Sequence, residues 1–355
     1  MWVHIINSIK YFIIFVFITT SLMAEKNIVV LATGATPTFL AKLTSQPSGY
    51  IPAKTSFNQV LQSIPEIQRI ANVTGEEINL STNQDLNSKT LLTLAHRVQE
   101  LIDSSKTDGI IITYDGENLG AIAYFFNLVI HTTKPIIIIQ VGKSNIAINS
   151  YQDSNLYQGV LVATSTESRN REVLVVVNNK IFSARDVIKS DTLLVRTFAH
   201  DKRGNNVGYI NNSKVIYLKP SIRLHTVQSE FNIKDINELP LVDILYGYAE
   251  ANPSYMEYAN NMEVKGIVYA GVSGNGNLYF SVINSLQHVQ QKGMIVVRSS
   301  RVSSRVIVHD NEIDNNSNSF VASGSLSPQE SRILLMLGLT KSSNAKYIQD
   351  LFDKY

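Results

Sequence analysis

Short, unbroken apolar runs rich in β-branched residues recur along the chain: 27–34 (NIVVLATG), 109–116 (GIIITYDG), 135–142 (PIIIIQVG) and 171–178 (REVLVVVN). None alternates between apolar and polar positions, which predicts strands covered on both faces, as in a parallel sheet. Between them lie helical patterns. In 91–104 (LLTLAHRVQELIDS), Leu91, Leu94, Ala95, Val98, Leu101 and Ile102 fall on one face at three-to-four spacing. A second set of runs, 242–248 (VDILYGY), 266–272 (GIVYAGV) and 293–300 (GMIVVRSS), follows Pro240. Strands that alternate with helices predict βαβ units. The expected fold is therefore α/β: a parallel-sheet N-terminal domain over 25–211, a polar irregular link over 212–238, and a smaller α/β C-terminal domain over 239–355. No internal repeat or low-complexity tract is evident.

The N-terminus has a different character. A short, weakly basic start precedes the apolar run 11–20 (YFIIFVFITT), and Ala24 then stands before a charged stretch. This three-part layout predicts a secretory signal peptide over 1–24, cleaved near Ala24. The competing reading is an uncleaved anchor, since 4–23 approaches the roughly 20 residues that span a bilayer. Cleavage would leave the mature protein periplasmic or secreted.

Charge changes this picture little. The balance of 31 basic against 29 acidic residues offers no footprint for nucleic acid. There is no cysteine, and the seven histidines stand singly. No spacing resembles a metal-ligand set, so neither metal nor other cofactor is expected.

In open parallel sheets, ligands bind beyond the carboxyl ends of strands. Three loops therefore matter most, those after Leu31, Thr113 and Val272. At these loops the chain resembles the type II bacterial L-asparaginases and glutaminase-asparaginases. The family's ILATGGT appears as VLATGAT (30–36), and its DG(I/V)(V/I)ITHGTDT…AYFL segment as DGIIITYDGEN…AYFF (108–126). GRDVTKT appears as ARDVIKS (184–190). NELP (237–240), AGVSGNGN (270–277), VVRSSRV (296–302) and FVASG (320–324) follow in the same order.

The resemblance implies an amidohydrolase acting on asparagine or glutamine, with a threonine nucleophile at Thr36 and Tyr50 as its neighbour. A free aliphatic hydroxyl needs such a neighbour to take or polarise its proton. It further implies Lys189 in a second catalytic cluster, and Asn83 and Gln84 as grips for the substrate's α-carboxylate and α-amino groups. Asn275 and Glu312 match positions that the family places at the pocket of a neighbouring subunit in a homotetramer of tight dimers. Each of these also has a plainer reading: Thr36 as a loop threonine, Tyr50 as one tyrosine among sixteen, Lys189 as a solvated lysine.

The second cluster is incomplete. Where the family has THGTDT, this chain has TYDGEN, so its threonine becomes Gly116 and its aspartate Glu117. Thr113 is no substitute, because the family carries that threonine as well. Ala35 replaces a glycine beside the nucleophile, Pro37 follows it, and 140–144 (QVGKS) replaces the family's GAMRP. These departures predict weakened or lost hydrolysis. The alternative is a non-catalytic protein that binds an amino acid or a partner on the same scaffold. GNGN (274–277) lacks the further glycine and acidic residue of a nucleotide loop. The basic stretch 298–305 (RSSRVSSR) is read as a strand end followed by a solvated loop.

Overall fold

A computed structural model describes residues 25–33, 61–62, 64–78, 87–114, 118–140, 151–187, 206–272, 278–302, 306–308 and 320–355. The predicted signal segment 1–24 lies outside these residues. Among the described residues no helix is long and apolar enough to cross a membrane.

The first unit is an eight-stranded sheet. Its strands are β1 (Asn27–Thr33), β2 (Asn72–Ile78), β3 (Gly109–Tyr114), β4 (Ile136–Gln140), β5 (Leu174–Val177), β6 (Lys180–Ser183), β7 (Asn206–Asn211) and β8 (Lys214–Tyr217). They lie in the order β2-β1-β3-β4-β5-β6-β7-β8. The first five are mutually parallel; the uninterrupted apolar runs predict β1, β3, β4 and β5, whereas β2 is a polar edge strand that no such run marks. Strands β6 to β8 add on as an antiparallel meander. The sheet is therefore mixed, not parallel throughout. Two-residue turns make the meander possible: Asn178 and Asn179 take φ of 54° and 59°, and Asn212 and Ser213 take 48° and 59°. Positive φ at both turn positions matches the right-handed twist of the flanking strands. Strand β8 also carries the sheet into the segment that sequence reading assigns to the interdomain link.

Each parallel strand feeds two cores. Ile110 and Ile112 of β3 join one apolar cluster, and Ile111 between them joins another on the opposite face. Helix α1 (Ser88–Asp103) and α2 (Leu119–Val129) cover the first face, and α3 (Tyr151–Thr164) covers the second. Burying each such isoleucine stabilises the fold by about 1.5–3 kcal/mol. Helix α1 buries Leu91, Leu94, Ala95, Val98 and Ile102 of its predicted face, with Leu101 only half buried. It starts where Asn87 Oδ1 accepts the Thr90 N–H at 2.9 Å.

The second unit has four strands in the order β12-β11-β10-β9: β9 (Val242–Tyr246), β10 (Gly266–Gly271), β11 (Ile295–Ser300) and β12 (Val321–Ala322). All pairs are parallel. Helices α4 (Ser254–Asn261), α5 (Phe280–Gln291), α6 (Pro328–Leu339) and α7 (Ala345–Lys354) complete it. Helix α2 is apolar nearly all round and α6 is buried along most of its length, because the two pack on each other between the units.

Candidate active site

The order of the first sheet locates a binding crevice. Strand β2 pairs on one side of β1 and β3 on the other, so the connections from β1 and β3 leave in opposite directions. Loops part at such a reversal and leave a crevice beyond the strand ends. The second sheet runs in sequential order, without a reversal among its described strands.

The registers bring the predicted loops after Leu31 and Thr113 to one end of the first sheet. Thr33 pairs with Ile78, Ala32 with Thr113, and Tyr114 with Gln140. The segments after β1, β2, β3 and β4 thus depart side by side from adjacent parallel strands. They lead to Thr36, to Asn83 and Gln84, to Gly116 and Glu117, and to 141–144. Those residues, with Ala35, Pro37 and Tyr50, lie outside the described residues. So do Lys189, Asn275 and Glu312.

At the reversal itself two threonines join the strand ends. The Thr33 N–H donates to Thr113 Oγ1 at 3.2 Å, and the Thr33 hydroxyl donates to the Thr113 main-chain carbonyl. Both side chains are buried. The Thr113 hydroxyl is thus occupied in holding the sheet edge. Tyr114 is the last residue of β3 and is buried, leaving only 115–118 between strand and helix.

Helix α2 begins directly beyond that turn. Its N-cap Asn118 makes no side-chain cap bond, and its first turn holds no acidic residue. The partial positive charge of a helix amino end, worth about 0.3–1 kcal/mol to a nearby anion, is therefore not offset by either. Gly120 in this first turn permits a close approach: an added Cβ would lie 2.9 Å from the Val187 carbonyl oxygen and 3.7 Å from Glu330 Oε1. The stretch Ser183–Val187, which leads towards Lys189, thereby reaches the head of α2.

Glu330 comes from the second unit. It forms a reciprocal cap with Ser327: Glu330 N–H to Ser327 Oγ at 3.2 Å, and Ser327 N–H to Glu330 Oε2 at 2.9 Å. Burial pushes its carboxyl up to about 7, against the opposing pull of the Ser327 bonds. Sequence reading missed Glu330, although the Ser-Pro-Gln-Glu spacing is a legible cap signal.

The basic stretch of the second unit begins as the strand end that its sequence suggests, with 298–300 closing β11 and 301–302 exposed. Arg301 is exposed, but Arg298 is fully buried in β11 and donates from Nη2 to the Val308 carbonyl at 3.0 Å. That bond helps a charged group remain inside. It also holds the segment 306–308, which a bridge between Ile307 and Gly324 pins from the other side. Glu312 lies four residues past Val308. Among the described residues no group of three or more His, Asp or Glu could hold a metal ion.

Comparison with known proteins agrees with this architecture. The asparaginase N-terminal family model matches residues 27–223, and the glutaminase/asparaginase C-terminal domain model matches 241–352. The chain is 37% identical over 333 residues to "L-asparaginase 2" of Escherichia coli, covering 94% of each chain. It is 36% identical over 329 residues to "Probable L-asparaginase periplasmic" of Haemophilus influenzae, covering 93% of each. It is 36% identical over 330 residues to "Glutaminase-asparaginase" of Pseudomonas fluorescens biotype A, covering 93% of this chain and 90% of that one. With both domain models matched in order, and relatives above 30% identity over nearly the whole length, this chain belongs to the asparaginase family.

Proposed function

We propose that this protein is an exported, oligomeric member of the family that binds asparagine or glutamine and hydrolyses the side-chain amide slowly or not at all. The observation that carries the reading is the β1–β3 reversal, where Thr33 is bonded to Thr113 and the chain runs on to Thr36 and Gly116. In the family's chemistry, Thr36 would attack the amide carbon, with its proton relayed through the Tyr50 hydroxyl to the departing nitrogen as the C–N bond breaks. Backbone N–H groups would stabilise the resulting oxyanion, and ammonia would leave before water releases the acid. Gln84 and Asn83 would orient the substrate through its α-groups.

The second cluster limits the rate. Gly116 has no hydroxyl, so Lys189 and Glu117 have no alcohol to act on. Glu117, one methylene longer than aspartate, would meet the substrate's ammonium only in a shifted pose. Loss of one positioned proton-transfer group costs about 10²- to 10⁴-fold in rate, and groups that act as a unit cost more. The same missing hydroxyl favours a second reading, a non-catalytic amino-acid-binding protein on this scaffold. Export by way of 1–24 is supported by the signal-like layout and by the periplasmic name of one relative. Assembly as a homotetramer would bring Asn275 and Glu312 to a neighbouring pocket.

Ammonia release from asparagine and glutamine by purified mature protein tests the enzymatic reading, with thermal shift against the same amino acids run alongside. A stabilising shift with slow ammonia release is expected. A shift without any ammonia selects the non-catalytic reading. Turnover at rates usual for the family would overturn the claim of impairment.

A further inference from the structure

Three distant parts of the chain meet at the head of α2. A Cβ added to Gly120 would stand 2.9 Å from the Val187 carbonyl oxygen and 3.7 Å from Glu330 Oε1. Gly120 follows Gly116 and Glu117 by four and three residues, and Val187 precedes Lys189 by two. Glu330 comes from the first turn of α6 in the second unit and is only 4% exposed. Two residues of chain span at most about 7 Å and three about 11 Å. A shift at this meeting point is therefore passed on to both halves of the second cluster.

The surroundings of Glu330 suit a neutral acid. Its Oε2 accepts the Ser327 N–H at 2.9 Å. Helix α2 carries no charged residue, and its one titratable group, Tyr124, is held protonated by burial. The stretch before Val187 brings Arg185 and Asp186, which pull the Glu330 carboxyl in opposite directions. Arg185 is itself engaged with Asp186, with Ser325 and with the carbonyl of Tyr355, directly after α7. On α6, Arg332 donates to the Val242 carbonyl of β9 at 2.6 Å. Burial is the largest influence and keeps the proton on Glu330 up to about pH 7.

We propose that Glu330 is a positioning residue for the second cluster, holding the head of α2 against the 183–187 stretch from the second unit. This rests on the proposed function, in which 116–117 and Lys189 face the ligand. With its proton, Glu330 fits the dry contact between the units. An ionised carboxylate there calls for water or a cation, and hydrating it parts α6 from Gly120 and Val187. The contact is thus tight below about pH 7 and loosens above it.

Hydrogen exchange and asparagine titration of the full mature chain at pH 5 and pH 8 test this, with exchange rates corrected for the intrinsic effect of pH. The reporting amides are Ile122, bonded to the Asn118 carbonyl, and Ala184 and Asp186, bonded to those of Val173 and Ser183. In wild type all three are expected to lose protection at pH 8, and asparagine to bind about fivefold or more weakly. Glu330→Gln keeps the cap acceptor but cannot ionise, so both readouts should hold their pH 5 values at pH 8. Ser327→Ala removes a cap bond and leaves the carboxyl in place; its melting temperature should fall while its pH profile stays that of wild type. A merely structural Glu330 shifts melting temperatures and leaves the pH profile alike in all three chains, and that result overturns the proposal. Unchanged protection of these amides in wild type between the two pH values also overturns it, and decides the matter if Glu330→Gln does not fold. Absence of asparagine binding at both pH values removes the ligand reading instead, and the exchange profile still decides the contact.

Discussion

Thr33 and Thr113 form a reciprocal pair: the amide of Thr33 donates to the hydroxyl of Thr113 at 3.2 Å, and the hydroxyl of Thr33 donates to the carbonyl of Thr113. The pair closes the ends of β1 and β3 where the strand order reverses. The loops leading to Thr36 and to Gly116 therefore start from one rigid anchor.

Thr113→Val keeps the shape but leaves the buried Thr33 N–H without its acceptor. A loss of about 1–3 kcal/mol is expected, read as a lower urea midpoint with unchanged slope. Ligand-induced stabilisation by asparagine should fall with it.

Gly120→Ala adds a methyl group 2.9 Å from the Val187 carbonyl. Alanine normally favours a helix over glycine by about 1 kcal/mol. Here the backbone oxygen cannot rotate away, so a net loss of about 1–3 kcal/mol is expected. A melting temperature at or above wild type would refute the close approach.

Glu330 sets a pH dependence whose sign follows from its raised carboxyl, about 7 against 4.5. Between these values the folded state holds a proton that the unfolded chain has released. Its contribution is fully present below about pH 4.5 and fades as pH rises through about 7. The size is on the order of 3 kcal/mol. Glu330→Gln retains cap acceptors for Ser327. Comparing melts at pH 5 and pH 8, the variant should lose less stability than wild type across that interval.

Gly116→Thr with Glu117→Asp restores the family's second cluster. Ammonia release from asparagine is expected to rise about a hundredfold if the other loops are intact. If release does not rise, Ala35, Pro37 and 140–144 have removed the activity by themselves. Thr36→Ala in the restored background should abolish it.

Much of the scaffold was legible because its signals are local. The isoleucines of β3 and β4 fill two cores from one strand each, and continuous apolar runs are the direct mark of that burial. The collinear motifs around Thr36, Gly116 and Lys189 identified the family and exposed the substitution in the second cluster. The meander β6–β8 was harder to read. Asn178–Asn179 joins two apolar runs, but Asn212–Ser213 opens the polar stretch 212–238 that reads as a linker.

By itself, then, the sequence determined the strands that are unbroken apolar runs (β1, β3, β4, β5, β9, β10 and β11), the buried face of α1, the family pattern, and the absence of an alcohol at position 116. Only the tertiary structure decided that β1 lies between β2 and β3, that Arg298 is buried against Val308, and that Gly120, Val187 and Glu330 meet. Propensity and periodicity act over a few residues, whereas these relations join positions tens to hundreds of residues apart and exist only once the sheets have packed.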